Sequence, residues 1–273
     1  MLNVCLDDSP RFTWIEMREV DSTNNFLRAY GGRSAGEEHL TVVTAEHQLK
    51  GRGQAGNTWE SEDGRNLLCS FLFTPPESVS PQESFIINQA VALAARDACE
   101  EFLGDSDEDE GRKVEVKWPN DIYVNGRKIG GILIETEMTG TRVKRVIAGI
   151  GINVNQAEWQ FASEPLPHPT PTSLSLLNGE EVLVRNVLEQ LVGHLQRRLA
   201  QVARVEYERI RKDYMLHLYR REGVHSYKDE NGEFEARIAG IEETGHLLLK
   251  DAKGEVRRYA FKEVSFLGER QGI

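Results

Sequence analysis

The feature that most constrains the fold is a proline-containing break between two short apolar runs, followed by a tight-turn signal. Residues 114–116 and 122–124 bracket the segment Lys117-Trp118-Pro119-Asn120-Asp121. Proline cannot donate a hydrogen bond within a central strand, and it restricts the preceding residue to extended geometry. Asn125-Gly126 then favours a type I′ turn, which returns the chain through residues 128–135. The pattern predicts antiparallel strands whose break presents polar side chains to a pocket.

A glycine-punctuated segment, residues 51–66, lies between two runs that are typical of buried strands. These runs, residues 40–45 and 66–73, are rich in apolar or β-branched residues. Glycines let backbone N–H groups approach oxyanions, Arg52 supplies a permanent cation, and Trp59 offers a flat apolar surface. The segment also matches the G-x-G-x-x-G dinucleotide pattern, but that pattern requires a helix directly afterwards, and a strand-like run follows here. The composition predicts a mobile loop that closes over an anionic ligand.

Helical signals surround these strands. Asp21 or Ser22 can cap a short helix that ends near residue 30. Residues 80–83 form a capping box, and the apolar spacing after them predicts a helix that ends at residue 104. Further apolar spacings predict helices within residues 184–199 and 207–218, a glycine-interrupted strand over residues 143–154 and a solvated acidic loop over residues 105–110.

Near residue 220 the sequence pattern changes from helical spacing to short strand-like runs. These runs are separated by Asn231-Gly232, Thr244-Gly245 and Lys253-Gly254. Five short strands at close spacing predict a small barrel. A chain of 273 residues has room for one large and one small domain. We therefore predict domains over residues 1–220 and 221–273. The predicted strands of the second are residues 224–227, 234–241, 246–249, 256–261 and 264–267.

Composition argues against several classes of function. The net charge of −11 disfavours nonspecific binding to nucleic acid, because DNA phosphates would be repelled. No stretch is apolar for long enough to span a bilayer, and the N-terminus carries Asp7 and Asp8 instead of the basic flank of a signal peptide. We therefore expect a cytoplasmic protein without a membrane partner. Cys5, Cys69 and Cys99 lie far apart and the histidines are scattered, so we expect small buried cysteines and no protein-held metal.

Five blocks in a fixed order give the chain a more specific likeness than any one block does. They are Ser22-Thr23-Asn24, G-R-G at residues 51–53, K-W-P-N-D at residues 117–121, the lysine-glycine hairpin at residues 128–131 and G-I-G-I-N at residues 149–153. In this order the chain resembles the biotin protein ligases. Some members carry an N-terminal helix-turn-helix and double as repressors. Too few residues precede Ser22 for such a domain, so the resemblance is to the short, monofunctional class.

The resemblance implies a fold and a reaction. The fold is α+β, with a mixed-sheet catalytic domain of the biotin/lipoate ligase type, related to class II synthetases, and an SH3-like C-terminal barrel. In the first step the biotin carboxylate attacks the α-phosphate of ATP, with Mg²⁺ as counter-ion, to give biotinyl-5′-adenylate. A lysine of the biotin carboxyl carrier domain of a carboxylase then takes the acyl group. Because the first step joins two anions, catalysis depends on charge screening and positioning.

The resemblance also implies the site residues. Lys117, Arg52 and Asp121 form the catalytic set, in which Asp121 would orient or deprotonate the acceptor amine. Polar groups pair the ureido ring of biotin, while Trp59 and the glycine-lined strands wall its acyl chain. The implied biotin-binding residues are Ser22, Thr23, Asn24, Gln48, Arg52, Gly53, Gln54, Trp59, Lys128 and Gly131. The implied nucleotide-binding residues are Arg52, Lys117, Asn120, Lys128 and Asn153.

Other functions stay open on the sequence alone. Lipoate ligases and octanoyltransferases share the architecture and a reactive lysine, and a non-catalytic biotin sensor would share the pocket. A site that satisfies a ureido group leaves polar atoms unpaired beside a fatty acid, which favours biotin. Gln54 and Asn57 stand where relatives can carry arginine, so retention of the adenylate need not match that of more basic members. The sequence distinguishes neither monomer from homodimer nor one carrier protein from another.

Overall fold

The computed structural model describes residues 3–5, 12–30, 39–54, 57–103, 112–140, 142–159 and 170–268. The elements of the larger part are β1 (Asn3–Cys5), β2 (Phe12–Val20), α1 (Thr23–Ala29), β3 (Leu40–Gln48), β4 (Leu67–Phe73), α2 (Phe85–Leu103), β5 (Val114–Lys117), β6 (Asp121–Val124), β7 (Arg127–Thr139), β8 (Arg142–Ile152), α3 (Leu174–Asn178), α4 (Val184–Ala203) and α5 (Tyr207–Leu216). The C-terminal part contains β9 (His225–Asp229), β10 (Gly232–Ile241), β11 (Leu247–Asp251), β12 (Val256–Tyr259) and β13 (Ser265–Phe266).

The strands of the larger part form one mixed sheet, in the order β1-β2-β3-β4-β8-β7-β6-β5. β2 and β3 run parallel, and the other described neighbours run antiparallel. β4 is buried along its whole length, because helices cover both faces of the sheet there. α2 and α4 pack on one face. On the other face Leu27 of α1 packs against Val43 and Leu72, and the sheet beside α1 stays open to a cavity.

The proline break and hairpin match the prediction. β5 ends at Lys117, the Trp118–Pro119 peptide bond is cis, and β6 begins at Asp121. Asn125 and Gly126 have φ values of 48° and 74°, the positive values that a type I′ turn requires at both central positions. The predicted α+β class is confirmed by these elements together with the helices.

The first helix starts where it was predicted to, and the second starts later. Ser22 occupies the N-cap position of α1 in extended conformation, but its side chain makes no capping hydrogen bond. Ser80 does accept a hydrogen bond from the Glu83 N–H, yet residues Pro81–Glu83 form a 3₁₀ turn and α2 begins only at Phe85. The cap is therefore real but ends one short turn before the helix. The predicted acidic loop over residues 105–110 lies outside the described residues.

All five predicted C-terminal strands are present, with ends shifted by a few residues. They form an antiparallel sheet of the SH3-like kind, in the order β12-β11-β10-β9-β13. The connection from α5 is hydrogen-bonded to β5: the Val116 N–H donates to His217 O (2.8 Å) and the Tyr219 N–H donates to Val116 O (2.9 Å). The division into residues 1–220 and 221–273 stays a prediction.

Cys69 and Cys99 are free and buried, as predicted. Burial raises the pKa of the Cys99 thiol to about 12, so this side chain behaves as a small apolar group. In the part of the chain that the structure describes, no helix is both long and apolar enough to cross a bilayer. The same residues contain no cluster of three metal-ligating side chains.

Candidate active site

The register of the sheet brings the sequence blocks together in two rows. In the first row Lys117 lies opposite Asp121, Asp121 opposite Gly131, and Gly131 opposite Gly151. The second row lies two residues away from the first on both β7 and β8. In it Leu133 lies opposite Gly149 and Gly149 opposite Ser70. Directly opposed residues point to the same face of a sheet, so each row presents its side chains together.

A cavity of about 960 Å³ lies over these rows, on the face that carries α1. Its wall contains every predicted site residue except Asn153. Five C-terminal residues that were not predicted to belong to the site also contribute to it. They are Phe261, Lys262, Val264, Ser265 and Phe266.

Hydrogen-bonding side chains gather at the end of the cavity beside α1. The Thr23 backbone N–H donates to Gln48 Oε1 (2.9 Å), and the Thr23 hydroxyl lies 3.2 Å from the same oxygen. The Ser70 hydroxyl lies 2.7 Å from Thr23 Oγ1 and 2.6 Å from Asn24 Oδ1. A Cβ on Gly149 would lie 2.2 Å from Asn24 Oδ1, so only glycine lets the amide sit against β8. These four residues, Thr23, Asn24, Gln48 and Ser70, are called the amide cluster below.

The second part of the cavity carries positive charge. Lys128 Nζ donates to Asp121 Oδ1 (2.8 Å) and lies 5.8 Å from the centre of the Trp59 ring. Lys117 Nζ lies 5.4 Å from the centre of the Tyr123 ring. Burial lowers the pKa of Lys117 below its ordinary value, an effect that Asp121 opposes and Lys128 reinforces. The predicted convergence of Lys117 and Lys128 on one cavity is thus observed.

Arg52 joins the same cavity but is held from the α1 side. Its Nη1 donates to Asn25 Oδ1 (2.9 Å) and lies 3.2 Å from Glu135 Oε1. Glu135 also accepts from Asn24 Nδ2 (3.0 Å) and from Arg28. The guanidinium therefore lies between the amide cluster and solvent, with a carboxylate that an incoming anion would have to replace.

The glycine segment forms a short hairpin in its described residues. The Gly53 N–H donates to Asn57 O (2.7 Å) and the Trp59 N–H donates to Gly51 O (3.0 Å). This pairing holds the Trp59 indole over the first row. The indole lies so close to the sheet that a Cβ on Gly151 would be 2.6 Å from Trp59 Cε2, and a Cβ on Gly131 would be 2.9 Å from Trp59 Cζ3. The two glycines thus make room for the indole.

Two predicted nucleotide contacts are buried and hold the backbone. Asn120 Nδ2 donates to Ile132 O at the cavity wall. Asn153 Nδ2 donates to Thr172 O (2.9 Å), and the Asn153 N–H donates to Ile129 O (2.8 Å). Asn153 does not line the cavity in the described residues, so its contact with adenine stays a prediction.

Sequence reasoning missed Ser70 and the C-terminal wall. Ser70 is the one hydroxyl side chain in the run Leu67–Phe73, where every other residue is apolar. A polar residue inside such a buried run usually has a structural or functional partner, and this signal could have identified Ser70. Phe266 carried no such signal, because its position depends on how the C-terminal sheet docks.

The sequence profile of the Biotin/lipoate A/B protein ligase family matches residues 17–153, from β2 to the end of β8. The bifunctional ligase/repressor BirA of Bacillus spizizenii is 30% identical over 255 residues, which are 88% of this chain and 70% of that protein. The biotin–[acetyl-CoA-carboxylase] ligase of Paracoccus denitrificans is 29% identical, and the alignment covers 87% of this chain and 94% of that protein.

A solved structure has the same fold. The biotin protein ligase from Aquifex aeolicus in complex with biotin and ATP aligns with a TM-score of 0.70 over 94% of this chain and 98% of that one, at 24% sequence identity. The profile spans the sheet that carries both rows of the cavity, and the relatives align over most of the chain. The chain therefore belongs to the biotin/lipoate A/B protein ligase family of enzymes.

Proposed function

We propose that the chain is a biotin protein ligase, which activates biotin with ATP and transfers the biotinyl group to a lysine of a carrier protein. The observation that carries this proposal is the order of groups along one cavity. The amide cluster adjoins Gly149, and the indole of Trp59 covers Gly151. Lys128 lies beside Gly131, which is in the same row as Gly151. A ligand with a polar neutral head, an apolar chain and an anionic end fits this order.

The amide cluster suits the ureido ring of biotin. The ring presents N–H donors and a carbonyl acceptor, and the cavity-lining members Thr23, Asn24 and Gln48 offer both kinds of partner, while the buried Ser70 hydroxyl supports Thr23 and Asn24 from behind. An alkyl or dithiolane head in the same place would leave the donor and acceptor positions that face the cavity without a ligand partner, at a cost of about 1–3 kcal/mol for each such group. The acyl chain would run along the indole of Trp59, which ends beside Lys128.

The first step joins the carboxylate of biotin to the α-phosphorus of ATP, with pyrophosphate as the leaving group. Lys128 and Arg52 are the cations that meet the carboxylate and the α-phosphate, and Lys117, in the same row as Asp121, meets the phosphates. Their fixed positions replace the water that would otherwise screen two approaching anions. We also propose that the ATP phosphates coordinate Mg²⁺ and that the ion enters the cavity together with ATP.

The second step transfers the acyl group to an amine. A free lysine is protonated at neutral pH, so the acceptor must lose a proton before it attacks the carbonyl carbon of the mixed anhydride. Asp121 is the carboxylate in the cavity wall next to Lys128 and is our candidate for orienting and deprotonating that amine. The acceptor is the biotin carboxyl carrier domain of a carboxylase, as the name of the Paracoccus relative suggests. We propose that the reaction takes place in the cytoplasm, where ATP is available.

Single-turnover adenylate formation tests the proposal. The purified chain is mixed with ATP, Mg²⁺ and an excess of biotin, lipoate or octanoate, and the acyl adenylate is separated after acid quench. We expect biotinyl-adenylate to form at least about a hundredfold faster than the other two, since several polar groups of the pocket would stay unpaired with them. Faster lipoyl- or octanoyl-adenylate would establish the rival activity. Biotin binding without any adenylate would establish a sensor.

A further inference from the structure

The C-terminal sheet is anchored beside the segment that carries Lys117. Trp118 Nε1 donates to Gly245 O (2.9 Å), and the Trp118 ring meets Phe261 edge to face with 6.0 Å between centres. A Cβ on Gly245 would lie 2.6 Å from the Phe85 ring of α2, so the turn fits closely against the larger part. The position of the C-terminal sheet is therefore coupled to the geometry of the catalytic segment.

Lys117 is enclosed by one ring from each part of the chain. Its Nζ lies 5.4 Å from the centre of the Tyr123 ring on β6 and 5.2 Å from the centre of the Phe266 ring on β13. Both distances lie within the range in which the face of an aromatic ring attracts an ammonium. Phe266 also lines the cavity, so the contact is made at the cavity wall.

Phe266 is itself held firmly. β13 pairs with β9 so that Phe266 lies opposite Tyr227, and the two rings meet edge to face at 5.1 Å. Arg220 donates to Leu267 O and to Ser226 O (3.2 Å), which ties the two strands together directly beside this pair. A ring with this support can define the position of a flexible lysine.

The charges around Lys117 explain why aromatic rings, and not a carboxylate, hold its ammonium in place. Lys128 and Arg220 repel its ammonium, and Asp121, the neighbouring carboxylate, is already paired with Lys128. Burial also lowers the pKa of Lys117, which weakens the charged form. Aromatic faces stabilise an ammonium without neutralising it, so the positive charge stays available to phosphate oxygens.

We propose that Phe266 is a positioning residue for the first chemical step: its ring holds the Lys117 ammonium at the cavity wall, where the ammonium meets the phosphates of ATP. The C-terminal sheet would thus complete the nucleotide side of the site. This inference rests on the proposed function, because it assigns Lys117 to the phosphates.

Substitution at Phe266 tests the inference. Phe266→Leu keeps an apolar side chain but removes the ring, and Phe266→Tyr keeps the ring. The matched control is Phe234→Leu, in the same sheet, where Phe234 stacks on Tyr227 and faces Arg257 without lining the cavity. We expect Phe266→Leu to raise KM for ATP about tenfold in adenylate formation and to leave the biotin dissociation constant within about twofold. Phe266→Tyr and Phe234→Leu should retain wild-type KM values.

A second readout does not depend on catalysis. The pH dependence of Lys117 labelling by trinitrobenzenesulfonate, read by peptide mass spectrometry, gives the apparent pKa of this amine. Because loss of the ring removes stabilisation of the charged form, the midpoint should fall in Phe266→Leu and stay in place in Phe266→Tyr and Phe234→Leu. If wild type makes no adenylate, the proposed function fails while the labelling still reports on the ring. An unchanged or higher midpoint, or equal KM changes in Phe266→Leu and Phe234→Leu, would overturn the inference.

Discussion

At the scale of single residues, the site depends on glycines that let larger groups lie against the sheet. Gly149 gives room to the Asn24 amide, and Gly131 and Gly151 give room to the Trp59 indole. None of the three needs a positive φ, so close approach and not backbone freedom explains glycine at these positions. Side-chain atoms at any of them would fill the proposed ligand path.

Gly151→Ala should impair biotin binding while the fold persists. Its Cβ would lie 2.6 Å from Trp59 Cε2, so the indole must shift out of the cavity wall. Overpacking of this kind costs about 1–3 kcal/mol, which corresponds to a loss of about fivefold to 150-fold in affinity. Calorimetric titration with biotin measures it. The control is Gly193→Ala in α4, where a Cβ would meet nothing within 4 Å and where Tm should rise. Wild-type biotin affinity in Gly151→Ala would contradict the assignment of this surface.

Asp121→Asn should slow acyl transfer more than adenylate formation. The amide cannot accept a proton from the acceptor lysine, and loss of a general base typically costs about a hundredfold or more. Rapid-quench measurement of the two half-reactions, with preformed adenylate chased by the carrier domain, separates them. Asp63→Asn makes the same change at a carboxylate that is 74% exposed and outside the cavity, and should alter neither rate. An unchanged transfer rate in Asp121→Asn would remove Asp121 from this role.

At the scale of elements, two local sequence signals account for how the first row of the site forms. The Asn125-Gly126 turn and the proline break fix the registers of β5, β6 and β7, and these registers place Lys117, Asp121 and Gly131 in one row. Turn chemistry and strand patterning act over a few residues, so sequence alone carries them. The assignment of Arg52, Lys117 and Lys128 to one cavity came from the family resemblance, and these registers explain how Lys117 comes to share a row with Asp121.

Elements that depend on distant partners were not predictable in the same way. β2 mixes polar and apolar residues and becomes a strand through its parallel pairing with β3. α3 is a single short helix capped by Ser173, too brief for a periodic pattern. The role of Asn153 as a nucleotide contact was implied by the family resemblance and stays a prediction, whereas the side-chain cap at Ser22 rested on a local pattern. The structure ties Asn153 to Thr172 and leaves the Ser22 hydroxyl out of the cap. Tertiary contacts decide such cases.

The glycine hairpin should become protease-resistant when ligands bind. Its backbone pairing is limited to a few hydrogen bonds, and ordering a residue costs about 1–2 kcal/mol, which ligand contacts can offset. We expect cleavage within residues 51–64 to slow at least about tenfold with biotin and ATP present, as followed by mass spectrometry. Cleavage in the Asn231-Gly232 turn provides an internal control that should not change. Equal rates at residues 51–64 with and without ligands would contradict closure.

At the scale of the whole molecule, the C-terminal sheet has its own electrostatic support. The Tyr259 hydroxyl donates to Asp229 Oδ2 (2.7 Å) and lowers the pKa of Asp229 below its ordinary value. A carboxylate with a lowered folded-state pKa contributes stability above its unfolded pKa and loses that contribution as the pH falls through the folded value. The sheet that bears Phe266 should therefore weaken in acid.

Tyr259→Phe should make the chain more sensitive to acid. Without the hydroxyl, the pKa of Asp229 moves up towards its ordinary value, so this contribution is smaller at neutral pH and the acid-unfolding midpoint shifts to higher pH. Circular dichroism at a series of pH values measures the shift. Tyr227→Phe is the matched control, since the buried Tyr227 hydroxyl has no hydrogen-bond partner in the described residues. Identical acid midpoints for wild type and Tyr259→Phe would refute this account of the sheet.

The most direct test of the central claim follows an oxygen atom. If the cavity holds the carboxylate of biotin against the α-phosphate of ATP, biotin labelled with ¹⁸O in both carboxylate oxygens should transfer one ¹⁸O to AMP when the adenylate is captured by an amine. Mass spectrometry of AMP, pyrophosphate and inorganic phosphate reads the result. One ¹⁸O in AMP and none in pyrophosphate is the predicted outcome. Unlabelled AMP, or label in pyrophosphate or inorganic phosphate, would contradict it.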